Sequence, residues 1–157
     1  LLGISVIHLD SLFWRPGWVE TPREEWRALV HDLVRRDSWI MDGNYSNTLD
    51  IRLPAADTVV FLDFPRLLCL WRVVKRRWQY AGRPRPDMAP GCPERLSWQF
   101  IRWIWSYPTR RPAILRMLQE YTQGSQVFRL RSPAEVERFV RELALFRGSP
   151  VPGHGQG

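Results

Sequence analysis

Three aspartates each follow a short apolar run that the sequence predicts to be a β-strand. Asp10 follows residues 4–9, Asp42 follows residues 39–41, and Asp63 follows residues 58–62. In open α/β sheets, ligands bind outside the carboxyl ends of the strands, so this repetition predicts a ligand site at one edge of a sheet. Aspartate also caps turns after strands, which is the structural alternative for any one of the three.

Arginines follow the third aspartate, first in a predicted helix and then in a loop. Arg72, Arg76 and Arg77 belong to the helix, and Arg83 and Arg85 to the loop. Arginine stays charged and binds phosphate with two parallel hydrogen bonds. Phosphoryl transfer requires mainly positioning and cations around charged oxygens, so this is the chemistry that the pattern favours. A solvated cationic surface is the alternative.

Composition limits the class of protein. The 157 residues suffice for one domain, and 45% hydrophobic with 25% charged residues is ordinary for a globular protein. The net charge of +7 favours an anionic partner, either the phosphates of a nucleotide or nucleic acid. Because the sequence has no secretory signal and no apolar run of ~18 residues, we expect a cytoplasmic protein without a membrane partner. The two cysteines indicate neither a zinc site nor a disulfide.

Helical periodicity and strand patterns alternate along the chain. Thr21 and Glu24 predict a capping box for a helix that ends near Arg36, and Ser132 and Glu135 predict the start of the last helix. The remaining predicted elements are a strand over 39–41, a strand over 58–62, a helix from 65 to about 81 with apolar residues on one side, helices over 96–106 and 109–122, and a strand over 126–130.

This alternation predicts an α/β fold of three layers, with a parallel sheet between two layers of helices. The domain covers residues 1–147. Residues 82–95 contain four prolines and two glycines, which predict a small lid or loop. The Gly/Pro-rich residues 148–157 predict a disordered tail.

The order of three segments resembles a known protein family. They are Ser5-Val6-Ile7-His8-Leu9-Asp10, Trp39-Ile40-Met41-Asp42-Gly43-Asn44-Tyr45 and Val59-Val60-Phe61-Leu62-Asp63-Phe64-Pro65-Arg66. In this order they are similar to the adenylate-kinase-like P-loop proteins of the topology modulation (FlaR-like) family, over nearly the whole chain to about residue 145. The resemblance implies a nucleoside-monophosphate-kinase-like fold with a five-stranded parallel sheet.

The resemblance also implies roles for single residues. Asp42 would lie near a Mg²⁺ ion and the attacking group, as a catalytic residue and metal ligand. Asp10 and Trp14 would lie near the acceptor substrate. Gly43, Asn44 and Tyr45 would contact it. Arg76 and Arg83 would close over the transferring phosphoryl group as catalytic residues, joined by Arg72 and Arg85 as substrate-binding residues. ATP would be the phosphoryl donor.

The P-loop that such an enzyme needs is absent from the sequence. The pattern G-x-x-x-x-G-K-[ST] does not occur, and Lys75, the single lysine, is far from any glycine-rich turn. We therefore expect a fragment that lacks a first strand, the P-loop and a first helix, with poor stability and no kinase activity of its own. A complete protein that never had a P-loop is the alternative.

Three function classes therefore stay open. The first is a nucleotide-dependent small-molecule kinase or NTPase, active in the parent protein. The second is a nucleic-acid-binding topology modulation protein without catalytic activity, which would use tryptophans interleaved with basic residues, namely Arg35, Arg36, Arg72, Arg76, Arg77, Arg110 and Arg111. A P-loop-free scaffold that serves only for interaction is the third and least supported interpretation. The acceptor cannot be named from the sequence.

Overall fold

Helices and strands alternate along the chain as the sequence predicts. The structure, a computed structural model, describes residues 2–80, 88–92 and 97–148. Most of the predicted lid, including Arg83 and Arg85, lies outside the described residues, as does the predicted tail beyond Gly148. The elements in order are β1 (Val6–His8), α1 (Leu9–Phe13), β2 (Trp14–Arg15), β3 (Val19–Glu20), α2 (Arg23–Leu33), β4 (Ile40–Asp42), a 3₁₀ turn (Ser46–Thr48), α3 (Leu49–Ala55), β5 (Thr58–Leu62), α4 (Arg66–Gln79), α5 (Trp98–Trp105), α6 (Tyr107–Tyr121), β6 (Gln126–Leu130) and α7 (Pro133–Gly148).

The strands form two parallel pairs. β1 pairs with β4, with His8 opposite Asp42, and β5 pairs with β6, with Leu62 opposite Leu130. Within the described residues these pairs are separate sheets and do not make the five-stranded sheet that the resemblance implies. The mixed α/β class and the parallel pairing are confirmed. β2 and β3 form a small antiparallel hairpin.

Helices pack against both faces of the β5–β6 pair, although Val60 and Leu62 of β5 remain exposed. On one face, Val59 and Phe61 pack against a core formed by α3 and α6, with Leu49, Leu53, Ile114 and Leu118 as its buried residues. On the other face, the Phe128 ring of β6 lies 4.8 Å from the Phe139 ring of α7. A second core joins α1 and α2 through Leu9, Trp26, Val30 and Leu33. Burial of these side chains is the main force that holds the layers together.

Two helix starts test the capping predictions. The box predicted for α2 is wrong, because the Thr21 hydroxyl donates to the Phe13 carbonyl at 2.7 Å and no side chain caps the helix. Thr21 is buried and instead ties the end of α1 to the start of α2. The helix start predicted for α7 is confirmed, since the Glu135 amide donates to the Ser132 hydroxyl at 3.2 Å. The Glu135 carboxylate accepts from the amide of Arg131, one residue before Ser132, at 2.7 Å, whereas a complete capping box would use the Ser132 amide.

The apolar side predicted for α4 faces solvent. Leu67, Trp71, Val74 and Trp78 are exposed, and Val73 is the residue of this helix that is buried. Periodicity identifies an apolar stripe but does not identify what covers it. None of the helices in the described part of the chain is both long and apolar enough to cross a membrane.

Candidate functional site

A buried arginine shapes the turn that follows β4. The Arg52 guanidinium of α3 donates to the Gly43 carbonyl at 3.1 Å and to the Asn44 and Tyr45 carbonyls at 3.0 Å each. Its Nε also donates to the Thr48 hydroxyl at 3.2 Å. Burial lowers the pKa of Arg52 to about 10, so the side chain remains a cation at neutral pH. The guanidinium therefore fixes three consecutive carbonyls of the turn, a role that sequence reasoning missed.

Gly43 lets the same turn approach α1 closely. Its φ of +147° lies in a region that other residues rarely adopt. A Cβ atom at this position would stand 2.9 Å from Cβ of Leu9, which is fully buried. The Asp42–Gly43–Asn44 backbone is therefore held against the start of α1 by close packing that only glycine permits.

The Tyr45 side chain joins this turn to Asp10. Its hydroxyl donates to the Asp10 carboxylate at 2.5 Å, and its ring lies 4.8 Å from the Phe13 ring and 5.1 Å from the Trp26 ring. Burial, followed by the hydrogen bond to Asp10, raises the pKa of Tyr45. The phenol thus stays protonated and acts as a donor at neutral pH, which orients one oxygen of the carboxylate.

His8 and Asp42 form a second polar pair beside this one. The two residues are opposite each other in the β1–β4 register, and His8 Nδ1 lies 3.2 Å from an Asp42 carboxylate oxygen. The partly exposed His8 ring lies at the carboxyl end of the β1–β4 pair. Only the strand register could have identified this pair in advance.

A cavity of about 360 Å³ begins beside these residues. Asp42, Gly43 and Asn44 line one end, α3 and α6 line the floor, and residues 58–62 of β5 line the opposite wall. The cavity therefore separates the β1–β4 pair from the β5–β6 pair. In α/β folds, a crevice between strands at their carboxyl ends is the usual place for a ligand.

Comparison with known proteins gives no relative. No family model, no curated protein and no solved structure matches the chain.

The aromatic part of the predicted acceptor site contacts a piece of the predicted lid. The Trp14 ring packs against Phe13 and Trp18, with ring centroids 5.0 and 5.3 Å away. Residues 88–92 close over this hairpin, since Met88, Ala89 and Cys92 are buried against the two tryptophans. The Gly17 amide donates to the Gly91 carbonyl at 3.1 Å. The segment therefore has a defined docking place on the loop that carries Trp14.

The predicted cationic residues fall on α4 or outside the described residues. Arg72 lies with its guanidinium carbon 4.7 Å from the centre of the Phe64 ring, and Arg76 is half-buried on the next turn. The structure thus brings Asp10, Trp14, Asp42, Gly43, Asn44 and Tyr45 together, whereas Arg72 and Arg76 belong to the helix that follows β5.

Asp63 is the aspartate that does not contribute to this site. Its buried carboxylate accepts from Arg111 at 2.8 Å, from Arg129 at 2.5 Å and from the Tyr107 hydroxyl at 2.8 Å. Burial alone would raise the pKa of Asp63, but these hydrogen bonds outweigh it and lower the pKa to about 2. The expectation of three aspartates at one ligand site is therefore reduced to Asp10 and Asp42.

The donor set at Asp42 decides what metal it could hold. Among the described residues, no group of three or more His, Cys, Asp or Glu side chains is placed to bind a metal ion. Asp42 offers one exposed carboxylate. Mg²⁺ is commonly held by one or two carboxylates while phosphate oxygens and water supply its other ligands. Asp42 could thus supply at most one carboxylate ligand to such an ion, and the other ligands would have to come from outside this group.

Proposed function

We propose that the chain is the acceptor-binding part of a nucleotide-dependent phosphotransferase that acts on a small molecule, of the P-loop, nucleoside-monophosphate-kinase-like type. In this proposal the acceptor lies over the turn that follows β4, and the donor is ATP with Mg²⁺. The chain alone would not carry out the reaction, because none of its loops has the sequence of a phosphate-binding P-loop.

The observation that carries the proposal is the cavity between β4 and β5. Each strand pairs with one neighbour, so within the described residues one edge of each strand has no strand beside it. Residues of both strands line the cavity. Unpaired edges of apolar strands are unfavourable, and proteins normally pair or cover them. An extended segment between β4 and β5 would pair with both and would join the two sheets into one.

The exposed face of β5 supports the same proposal. Val60 and Leu62 are 42% and 53% exposed, although the strand is a continuous apolar run. Strands with such runs are normally buried on both faces by helices. A strand in the cavity, followed by a helix across Val60 and Leu62, would cover both the edge and this face. A strand, a loop and a helix are the parts of a P-loop unit, and its loop would then lie at the carboxyl ends of the strands, next to Asp42.

In this arrangement the residues of this chain would bind and orient the acceptor, the metal ion and the phosphates. Tyr45 holds Asp10 in a fixed position, where its carboxylate can accept a hydrogen bond from an acceptor hydroxyl. Trp14 supplies an apolar wall, and the braced turn at Gly43 and Asn44 supplies polar groups. Asp42 would supply one carboxylate ligand to the metal ion. Arg72 and Arg76 would supply positive charge for phosphate, while ATP would supply the phosphoryl group itself.

The test uses the protein encoded by the complete open reading frame that contains these residues. Titration calorimetry with ATP, with and without Mg²⁺, measures donor binding. We expect Mg²⁺-dependent binding that Asp42→Asn weakens at least tenfold. Asp37→Asn is the matched control, because Asp37 is an exposed aspartate before β4 that lies outside the cavity lining.

Three results would overturn the proposal. The first is an open reading frame whose product does not bind ATP. The second is equal loss of binding in the two aspartate variants, and the third is ATP binding without any phosphorylated product when a panel of nucleosides, nucleotides and sugars is offered as acceptor.

A further inference from the structure

The α4–α5 surface, defined as the solvent-facing sides of α4 and α5, carries exposed tryptophans that the proposed function does not use. On α4 these are Trp71 and Trp78, and on α5 they are Trp98, Trp103 and Trp105. Trp78 and Trp98 are 82% and 77% exposed. Tryptophan is normally largely buried, so a cluster of exposed indoles indicates a binding surface.

Cations lie directly on several of these rings. The Arg66 guanidinium is 4.1 Å from the centre of the Trp105 ring, Arg110 is 4.2 Å from that of Trp103, and the Lys75 ammonium is 5.1 Å from that of Trp71. Arg110 also donates to the Trp103 carbonyl. The Arg66–Trp105 contact joins the first residue of α4 to the last residue of α5, so the two helices meet at this end of the surface.

The charge of this region has one sign. The sequence of α4 carries five cationic side chains and that of α5 carries one, Arg102, and neither helix contains a carboxylate. On α5, Trp98, Arg102 and Trp105 are spaced four and three positions apart, so they share one side of the helix. All three are exposed. The surface therefore alternates aromatic planes with positive charge, which is complementary to a polymer that alternates aromatic bases with phosphates.

We propose that the α4–α5 surface binds single-stranded nucleic acid. Indoles stack on base faces, which are accessible in single strands and hidden inside a duplex. Arginine and lysine beside the rings neutralise the phosphates. An anionic membrane is the competing partner, because tryptophan and arginine also suit the lipid interface, so vesicle binding is measured as an outcome of the test. This binding is independent of the proposed phosphotransferase activity.

The experiment measures fluorescence anisotropy of a labelled 20-nucleotide oligo(dT), without nucleotide or Mg²⁺. A 20-base-pair duplex and a 20-nucleotide oligo(U) are the comparison ligands, and tryptophan quenching gives a second signal. We expect the single strands to bind more tightly than the duplex. Because one stacked base is worth a factor of about ten, Trp98→Ala and Trp78→Ala should each weaken binding about tenfold.

Matched variants separate stacking from other contacts. Trp98→Phe keeps an aromatic ring and should retain most of the affinity, whereas Trp98→Leu keeps an apolar side chain and should lose as much as Trp98→Ala. Arg102→Gln should reduce the slope of log K against log salt by about 0.7. Leu145→Ala and Arg138→Gln are controls, because both residues are exposed on α7; these variants should change neither the affinity nor its salt dependence. All these side chains are exposed, so the variants should fold.

The proposal is overturned by tighter binding to the duplex, by unchanged affinity in Trp98→Ala and Trp78→Ala, or by equal affinity in Trp98→Leu and Trp98→Phe. Binding to vesicles of phosphatidylcholine and phosphatidylserine without binding to oligonucleotide would assign the surface to a membrane instead. Because the assay contains no ATP, its outcome does not depend on whether the protein is a kinase.

Discussion

Tyr45 and Asp10, separated by 35 positions in the chain, are joined by a 2.5 Å hydrogen bond at the carboxyl end of the β1–β4 pair. The bond links the turn after β4 to the helix after β1. Because Tyr45 also packs against Phe13 and Trp26, the position of a candidate acceptor-binding carboxylate depends on the aromatic core behind it.

Removal of the Tyr45 hydroxyl tests this link. Tyr45→Phe keeps the ring contacts and removes one hydrogen bond, so we expect the free energy of unfolding to fall by about 1 kcal/mol. Urea denaturation of the wild type, Tyr45→Phe, Asp10→Asn and the double variant gives the coupling energy of the pair. We expect a coupling of about 1 kcal/mol. Additive effects of the two substitutions would show that the hydrogen bond does not stabilise the fold.

Arg52 should be much more important for stability than an exposed arginine. Arg52→Leu leaves the Gly43 and Asn44 carbonyls and the Thr48 hydroxyl without the guanidinium donor, which should lower the free energy of unfolding by about 3 kcal/mol. Arg35→Leu is the control, because Arg35 is exposed and lies 4.0 Å from Asp32, so its loss should cost less than about 1 kcal/mol. Both values come from denaturant unfolding. Equal costs would contradict the bracing role of Arg52.

Two glycines provide a matched test of close packing at the site. Gly43 and Gly17 both have a positive φ, but a Cβ atom at Gly43 would meet Leu9 at 2.9 Å, whereas a Cβ at Gly17 would meet nothing within 4 Å. Gly17→Ala should therefore cost only backbone strain, about 1 kcal/mol. Gly43→Ala should cost about 3 kcal/mol because overpacking is added. Thermal unfolding of both variants measures the difference, and a smaller loss for Gly43→Ala would be the contrary result.

The sequence predicts long apolar elements better than short or tertiary ones. β5 and β6 are found at the predicted residues, 58–62 and 126–130, because continuous runs rich in β-branched and aromatic residues identify strands locally. α1, with five residues, and α3, with seven, are too short to show a helical period. The strand predicted over 4–9 shortens to Val6–His8, because α1 begins at Leu9.

The residues of the candidate site could likewise be predicted from the sequence only in part. Asp10 and Tyr45 could be grouped from the rule that ligands lie at the carboxyl ends of parallel strands. Asp63 follows a strand in the same way, yet its carboxylate is engaged by Arg111 and Arg129, which are 48 and 66 positions away. No local sequence pattern identifies Arg52, because its role depends on its burial beneath the turn that follows β4. Contacts of this kind depend on tertiary packing, which no local pattern encodes.

The Asp63 network predicts a specific loss of stability in acid. Its folded pKa of about 2 lies below the ordinary value of 3.8. The carboxylate therefore contributes about 2 kcal/mol of stability above pH 4, and this contribution is lost as the pH falls from about 4 to 2. Urea denaturation from pH 7 to 2 should show that the free energies of unfolding of wild type and Asp63→Asn become more similar over that window, while Asp37→Asn shows no such change.

A second variant, Arg111→Gln, keeps the test available if Asp63→Asn does not fold. It leaves Arg129 and Tyr107 on the carboxylate, so it should reduce the acid-sensitive contribution to stability without abolishing it. A difference between Arg111→Gln and wild type that stays constant with pH would show that these hydrogen bonds do not set the ionisation of Asp63.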